Sequence, residues 1–171
     1  MNQIKHLTTP LSESEISQLQ VGDIVSISGE IYCGRDAVLP KICSEIKSGE
    51  WYKRNIDLNG AIIFHTAVSP AGVGPTSSNK LEIEESFEIL SKNGVRIHLG
   101  KGQIKRETID ILHKNSSAFL LIPPVTALLE EKTLYRECVA FPELGMEALY
   151  KIRVDGYEAI VGAVNGKSIY E

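Results

Sequence analysis

The chain has 171 residues, enough for one sizeable hydrophobic core and too few for two ordinary domains, so we predict a single domain over residues 1–171. Its 43% hydrophobic and 23% charged residues and its formal net charge of -4 are typical of a globular protein. Scattered lysines and arginines argue against nucleic-acid binding, and no apolar run approaches the roughly 20 residues that span a membrane. The opening "MNQIKHLTTPLSESE" lacks the apolar segment of a secretory signal, so we expect a cytoplasmic protein.

The first predicted elements are a short helix, a strand and a second helix. Ser12 and Glu15 have the capping-box spacing that starts a helix. The segment "GDIVSISGEIYC" predicts a strand with a bend at Gly29. After Asp36 apolar residues recur four apart, which predicts a helix that ends near Gly49.

The middle of the chain alternates predicted strands and helices. "LNGAIIFHTA" is interpreted as a strand, and "VSPAGVGPTSS", with two prolines and two glycines, as a loop without structure of its own. A helix is predicted from about Leu81 to Asn93–Gly94. A strand in "VRIHLGKG", a helix in "IKRETIDILHKN" and a central strand in "AFLLIPP" follow.

The last third changes character, because "LYRECVAFPELG", "ALYKIRVDG" and "EAIVGAVNGKS" are typical of strands joined by turns. The alternation before it implies parallel pairing through crossover helices. We therefore predict an α/β fold with a mixed sheet and a β-rich C-terminal part.

Polar groups follow three of the predicted strands. They are Arg35–Asp36, the Gly74–Lys80 segment and Gly100–Lys101–Gly102. Ligands in open α/β sheets bind at the carboxyl ends of strands, so these groups converge if the strands are neighbours. The combination predicts a site for a small anion, most simply a carboxylate.

Each group suits that chemistry. Arg35 offers a planar fork that binds a carboxylate through two hydrogen bonds. Lys101 lies between two glycines whose lack of side chains lets an anion approach. Thr76, Ser77 and Ser78 precede a helix whose free N–H groups favour an anion.

Simpler interpretations remain open at each position. Arg35 and Asp36 can form an ion pair and a helix N-cap, and Gly-Lys-Gly is often a solvated turn. His65 is interpreted more readily as a hydrogen-bonded structural residue than as a base. The Gly72-x-Gly74 spacing lacks the third glycine of a dinucleotide fingerprint.

The cysteines and histidines do not indicate a metal site. Cys33, Cys43 and Cys138 match neither a disulfide framework nor a CxxC pair, and buried structural thiols are favoured over an iron–sulfur site. His6, His98 and His113 lack metal-ligand spacing.

Five segments stand out in chain order: "VGDIVSISGEIYCGRD", "DLNGAIIFH", "VGPTSS", "GVRIHLGKG" and "FPELGMEALYKIRV". In this order they resemble the β subunit of L-tartrate dehydratase and the equivalent C-terminal domain of class I fumarases. The resemblance covers nearly the whole chain. It implies a swivelling β/β/α domain that takes part in adding water to, or removing it from, a four-carbon dicarboxylate.

The resemblance also implies partners and cofactors. The family uses an oxygen-sensitive [4Fe-4S] cluster carried by an α subunit or N-terminal domain, so no cofactor is expected on this chain. The expected assembly is a hetero-oligomer with that α subunit, and a homodimer within it is also compatible.

Residue roles follow from the matched motifs. Arg35 corresponds to a carboxylate-binding arginine, Thr76 to a threonine that acts in proton transfer, and Lys101 to a substrate-binding lysine, so Thr76 and Lys101 are the expected catalytic residues. The remaining substrate-binding positions are Asp36, Ser77, Lys80 and His65.

Two departures keep an alternative open. Leu39 stands where the family has a histidine, and Lys80 where it has an arginine with two-pronged geometry. The alternative is a catalytically impaired binding or regulatory domain of the same fold. A free-standing enzyme of different chemistry is a third hypothesis, for which no nucleophile–base pair is evident.

Overall fold

The computed structural model describes residues 3–69, 72–76, 80–123 and 126–171, and the side chains of 3–68, 84–123 and 129–171. The strands are β1 (Lys5–Thr8), β2 (Ile24–Cys33), β3 (Ile62–Phe64), β4 (Thr66–Ser69), β5 (Gly72–Thr76), β6 (Ile97–Gly100), β7 (Ala118–Leu121), β8 (Thr133–Ala140), β9 (Leu149–Val164) and β10 (Lys167–Ser168). The α-helices are α1 (Glu13–Ser17), α2 (Leu39–Ser48), α3 (Lys80–Lys92), α4 (Arg106–Lys114) and α5 (Thr126–Glu131). Two 3₁₀ helices span Glu50–Arg54 and Pro142–Glu147.

The main sheet closes on itself. Strands β2, β3, β6 and β7 lie side by side in that order and run parallel. The long strand β9 pairs antiparallel with both β7 and β2, so these five strands form a closed circuit, as in a small barrel. Strands β1, β8 and β10 add to its edges, and the mixed sheet, crossover helices and β-rich end confirm the predicted α/β fold.

Both faces of the parallel strands are buried, as expected for strands covered by crossover helices. Alternation along β3 shows this, because Ile62 and Phe64 pack in the barrel interior while Ile63 packs against α2 and the helices on the outer face. Phe119 of β7 likewise faces outward, onto Ile109 and Leu112 of α4. Among the described residues no helix combines the length and apolarity of a membrane span.

Local signals place the helix ends close to their predicted positions. The capping box at α1 is present, with Glu15 N–H donating to Ser12 Oγ at 3.1 Å and Ser12 N–H donating to Glu15 Oε1 at 3.2 Å. Helix α2 ends at Gly49, which has a left-handed φ of 86°. Helix α3 begins at Lys80, one residue before the predicted start.

The segment predicted as an unstructured loop is in part a β-hairpin, so that prediction is wrong. Strands β4 and β5 pair antiparallel, with Thr66 opposite Thr76 and Val68 opposite Val73. These paired residues are β-branched, and they favour extended structure more strongly than the intervening glycine and proline oppose it. The predicted strand "LNGAIIFHTA" divides at His65, which separates β3 from β4.

The C-terminal strands differ from prediction in a second way. The segments predicted as two strands joined by a turn are the single 16-residue strand β9. Ile27 lies opposite Tyr157 and Ser28 opposite Asp155, which leaves Gly156 as a bulge with φ of 80°. The Asp-Gly pair resembles a turn signal, but continuous pairing with β2 makes it a bulge instead.

Candidate functional site

The carboxyl ends of the parallel strands lie in one row. Cys33 of β2 pairs with Phe64 of β3, Phe64 with Leu99 of β6, and Leu99 with Leu120 of β7. Backbone bonds continue past these pairs, since His65 N–H donates to the Leu99 carbonyl at 3.0 Å. We call this row, with residues 34–36, 65–66, 100–102 and 122–123, the carboxyl edge.

The carboxyl edge brings the predicted groups together. Arg35, His65 and Lys101 follow β2, β3 and β6, which are consecutive neighbours in the sheet. The β4–β5 hairpin returns the backbone of Thr76 to a position opposite Thr66, directly beyond the end of β3. The described parts of the three predicted segments therefore meet at one edge, as the strand order requires.

Part of the predicted set lies outside the described side chains. The backbone of Thr76 ends β5 and that of Lys80 begins α3, but their side chains are not described. Ser77 lies outside the described residues. The described site consequently rests on Arg35, His65, Lys101 and their neighbours.

Arg35 is held by a residue that the sequence analysis missed. Its Nε donates to Glu147 Oε1 at 2.9 Å, and both side chains are half-buried. Glu147 ends the second 3₁₀ helix, 112 residues further along the chain. Glu147 lies in "FPELGMEALY", a segment that the family resemblance includes. No local pattern in the sequence links this segment to Arg35.

Asp36 does not cap the following helix. The N-cap of α2 is Val38, which makes no side-chain cap bond, and Pro40 occupies an early helical position. A proline there needs no N–H acceptor and presets the helical φ, so the helix starts without an acidic cap. The N-cap interpretation of Asp36 is therefore wrong, and the ion pair seen at Arg35 joins it to Glu147.

Lys101 leaves the sheet between two glycines. A Cβ on Gly100 would lie 3.1 Å from the Phe119 ring, a tight approach that requires the ring to shift by a few tenths of an ångström. Gly102 then adopts a left-handed φ of 76°, turning the chain away from β6. The Lys101 side chain is exposed at the carboxyl edge.

His65 has a buried partner on the neighbouring strand. Its Nε2 lies 3.3 Å from Nδ1 of His98, whose Nε2 lies 3.0 Å from Ser91 Oγ on α3. His98 also stacks on Phe87, with ring centroids 4.2 Å apart. The sequence predicts a structural role for His65 but not this partner, because His98 lies 33 residues further along the chain.

Burial keeps both imidazoles neutral. Desolvation lowers the pKa of His65 to about 3. The pKa of His98 is also well below its usual value, first through desolvation and then through His65 and the Arg96 charge. At neutral pH each ring therefore carries one N–H and one bare nitrogen.

The described thiols do not form a cluster-binding set. Cys33 is fully buried in the barrel interior and Cys43 lies in the α2 cluster on the outer face, where burial raises the pKa of both thiols. Cys138 on β8 is exposed, contrary to the buried role predicted for it. Among the described residues no three histidine, cysteine or acidic side chains are grouped to hold a metal ion.

The sequence model of one family, described as fumarase C-terminus, matches residues 2–171. The chain belongs to this family. The resemblance seen in the five ordered segments is thereby confirmed over residues 2–171.

Relatives of two kinds match it. The anaerobic class I fumarate hydratase of Escherichia coli (strain K12) is 30% identical over 164 residues, covering 91% of this chain but 30% of that protein. A Methanocaldococcus jannaschii protein provisionally named L(+)-tartrate dehydratase subunit beta is 32% identical, covering 94% of this chain and 88% of that protein. The L(+)-tartrate dehydratase subunit beta of Escherichia coli (strain K12) is 28% identical, with coverages of 94% and 83%.

Length separates the two kinds of relative. The chain spans less than a third of the fumarate hydratase, but most of each protein named as a beta subunit. The chain therefore matches most of a protein of the second kind and one part of a protein of the first kind.

Proposed function

We propose that this chain is the β subunit of an iron–sulfur-dependent hydro-lyase that adds water to, or removes it from, a four-carbon dicarboxylate. The observation that carries the proposal is the row formed by Arg35, the returning end of the β4–β5 hairpin and Lys101 along the carboxyl edge. Its similarity to two proteins named as tartrate dehydratase beta subunits, of which it covers 88% and 83%, supports the proposal.

The spacing of the two cations suits a dicarboxylate. Neighbouring strands lie about 4.8 Å apart, so the backbones at Arg35 and Lys101 are separated by roughly 10 Å across β3. Their side chains are long enough to reach the two carboxylates of one small ligand from opposite sides. Lys80, whose backbone begins α3, is proposed as a third cation for the ligand.

Arg35 is pre-positioned for its role. The Nε bond to Glu147 fixes the plane of the guanidinium, whose five N–H groups serve more than one acceptor. A guanidinium held in this way loses less conformational freedom when it binds a carboxylate. In this proposal Glu147 orients Arg35, while Asp36 and Ser77 add polar contacts around the ligand.

Thr76 is proposed to assist proton transfer at the carbon that gains or loses hydrogen. A threonine hydroxyl is a weak base at neutral pH, so it requires an activating group. The expected source is an α subunit, which would also carry the [4Fe-4S] cluster, because the described cysteines of this chain do not form a ligand set. The chain is therefore proposed to be inactive alone.

Reconstitution tests the proposal directly. The chain would be combined anaerobically with a cluster-loaded α subunit, and fumarate hydration and L-tartrate dehydration would be measured. We expect turnover from the pair and none from either chain alone. Activity of the isolated chain would contradict the need for a partner.

Lysine variants test the site within that pair. Lys101→Ala should lower kcat/KM by at least about a hundredfold, since a charge-assisted hydrogen bond to the reacting ligand is lost. Lys53→Ala removes another exposed lysine, in the first 3₁₀ helix, and serves as the matched control. Equal turnover of both variants would reject the proposed role of Lys101.

One observation favours the alternative of a non-catalytic binding or regulatory domain. Leu39 is 1% exposed and packs in the outer-face apolar cluster, so no ionisable side chain replaces the histidine expected there. This alternative predicts dicarboxylate binding by the pair without turnover. Calorimetric titration with fumarate and L-tartrate alongside the activity measurement separates the two functions.

A further inference from the structure

A chain of three buried polar side chains runs from α3 to the carboxyl edge. Ser91 contacts His98, and His98 contacts His65, through the nitrogen and oxygen pairs already described. The three residues are 1%, 0% and 1% exposed, so water does not compete for these bonds. We call this set the Ser–His–His chain.

At one end of the Ser–His–His chain a ring nitrogen has no hydrogen-bond partner in the described part of the structure. Nδ1 of His65 is buried and makes no hydrogen bond with any described group. This nitrogen is attached to Cγ, on the side of the ring nearest the main chain, so it lies beside the junction between β3 and β4. A buried polar atom without a partner, placed at the edge where the other site residues meet, indicates a missing ligand.

Hydrogen counting restricts the tautomers. Each neutral imidazole has one N–H, so all protons in the Ser–His–His chain must point the same way. If Ser91 donates to His98, then His98 Nδ1–H donates to His65 Nε2, and His65 carries its proton on Nδ1. If the direction is reversed, His65 Nδ1 is bare and the Ser91 hydroxyl proton has to find another acceptor.

The Ser91 hydroxyl favours the first direction. Among the described residues its one hydrogen-bond partner is His98 Nε2, so the reversed direction would leave a buried O–H without an acceptor. The first direction satisfies that hydroxyl and leaves only His65 Nδ1–H unpaired. A buried N–H donor is suited to an anionic oxygen rather than to another donor.

We propose that Ser91 and His98 are positioning residues that hold His65 in its Nδ1–H tautomer, so that His65 donates a hydrogen bond to a carboxylate of the ligand at the carboxyl edge. The ligand part rests on the proposed function, whereas the tautomer is a property of this chain alone. Two measurements therefore separate the failure of one from the failure of the other.

The first measurement is nitrogen NMR of the histidine rings in the whole chain, labelled with ¹⁵N and without ligand. We expect the protonated nitrogen to be Nδ1 in both His65 and His98. In Ser91→Ala, which removes the donor at the far end, the His65 proton should redistribute between its two nitrogens. Ser91→Thr keeps a hydroxyl and should restore the wild-type pattern.

Ser86→Ala is the matched control for that experiment. Ser86 is another buried serine of α3, 3% exposed, and its side chain forms a hydrogen bond with the Cys43 thiol of α2. Its variant should retain the wild-type tautomers. A proton on His65 Nε2 in the wild-type chain, or unchanged tautomers in Ser91→Ala, would overturn the positioning role whatever the chain is found to catalyse.

The second measurement uses the reconstituted pair with fumarate. We expect fumarate to shift the His65 Nδ1–H resonance and Ser91→Ala to raise KM about tenfold with little change in kcat, since one hydrogen bond to a charged group is weakened. Ser86→Ala should leave both constants unchanged. An active pair in which fumarate does not move this resonance would overturn the ligand contact while leaving the tautomer result standing.

Discussion

The two faces of the parallel strands are both buried but differ in chemistry. The barrel interior is filled almost entirely by apolar side chains and contains the fully buried ring of Tyr157. The outer face under α3 and α4 also encloses buried polar groups. They include Glu84, Ser91, Arg96, His98 and Thr108. Apolar packing tolerates exchange of one hydrophobic residue for another, whereas a buried polar layer requires each partner to be present.

The polar layer fixes the helices at defined positions beside the carboxyl edge. Glu84 Oε1 of α3 accepts hydrogen bonds from Lys105 N–H at 2.9 Å and from Thr108 Oγ at 2.6 Å, which joins α3 to α4. Arg96 donates to four backbone carbonyls, which belong to Ser91, Gly94, Asn115 and Ser116. The apolar interior thus provides stability, and the outer face provides positional precision near the site.

The largest loss of stability is expected from a substitution in the barrel interior. Leu120→Ala removes a fully buried side chain of β7 and should lower the free energy of unfolding by about 2–5 kcal/mol. Leu134→Ala on β8, where the side chain is 60% exposed, should cost less than about 0.5 kcal/mol. Urea unfolding of both variants checks this, and similar losses would contradict the assignment of Leu120 to the core.

The second expected effect is that the free energy of unfolding depends on pH, because two histidines are buried on the outer face. The pKa of His65 is about 3 in the folded chain against an ordinary 6.5, so below pH 6.5 the unfolded chain binds more protons than the folded one. Stability should therefore fall as pH decreases, by about 1.5 kcal/mol for each buried histidine between roughly pH 6.5 and pH 5. The paired carboxylates Asp23 and Glu30 titrate below this window.

Histidine variants show which residues cause this change of the free energy of unfolding with pH. His98→Gln removes one of the two buried rings and should flatten the dependence measured by urea unfolding at several pH values. His113→Gln changes an exposed histidine of α4 and should leave the slope as in the wild type. An unchanged slope in His98→Gln would show that the buried pair does not control it.

A third effect concerns the link between α3 and α4. Glu84→Ala leaves Lys105 N–H and the Thr108 hydroxyl without their acceptor and should cost about 1–3 kcal/mol. Glu84→Gln keeps an acceptor oxygen in the same place and should recover most of the loss. Thermal unfolding compares the two, and equal destabilisation would indicate that the carboxylate charge matters more than the hydrogen bonds.

The smallest loss of stability is expected at Tyr157, whose hydroxyl is a polar group in the otherwise apolar barrel interior. The Tyr157 hydroxyl lies 2.5 Å from Thr133 Oγ1, and Tyr157 is the donor because the Thr133 hydroxyl donates to the Leu129 carbonyl at 2.8 Å. Tyr157→Phe should therefore cost about 1 kcal/mol, the usual value of one such bond. If Tyr157→Phe lowered the free energy of unfolding as much as Leu120→Ala, the interior would depend on hydrogen bonds as well as on apolar packing, and the proposed difference between the two faces would be wrong.

The features that could be predicted from the sequence are those determined by residues close together in the chain. The repeating apolar residues of α2, its glycine end at Gly49 and the capping box at Ser12 and Glu15 act within a few residues, so their positions were predictable. The order of strands and helices then implied parallel neighbours, and this placed Arg35 and Lys101 at the same edge.

The failures share a different physical cause. Glu147 meets Arg35 across 112 residues, and His98 meets His65 across 33, so no local pattern records either contact. The bulge at Gly156 has the composition of a turn and is distinguished from one only by its pairing with β2. In each case the deciding partner lies elsewhere in the chain.

The length of β9 has a consequence for how the molecule is assembled. This strand pairs with β2, which lies more than a hundred residues earlier, and it also joins β7, β8 and β10. Contacts of such sequence separation form slowly, because a long loop must close before they contribute. On a ribosome β2 and β7 would each present an open edge until β9 emerges, so this one strand ends the period in which the nascent chain is most exposed to aggregation.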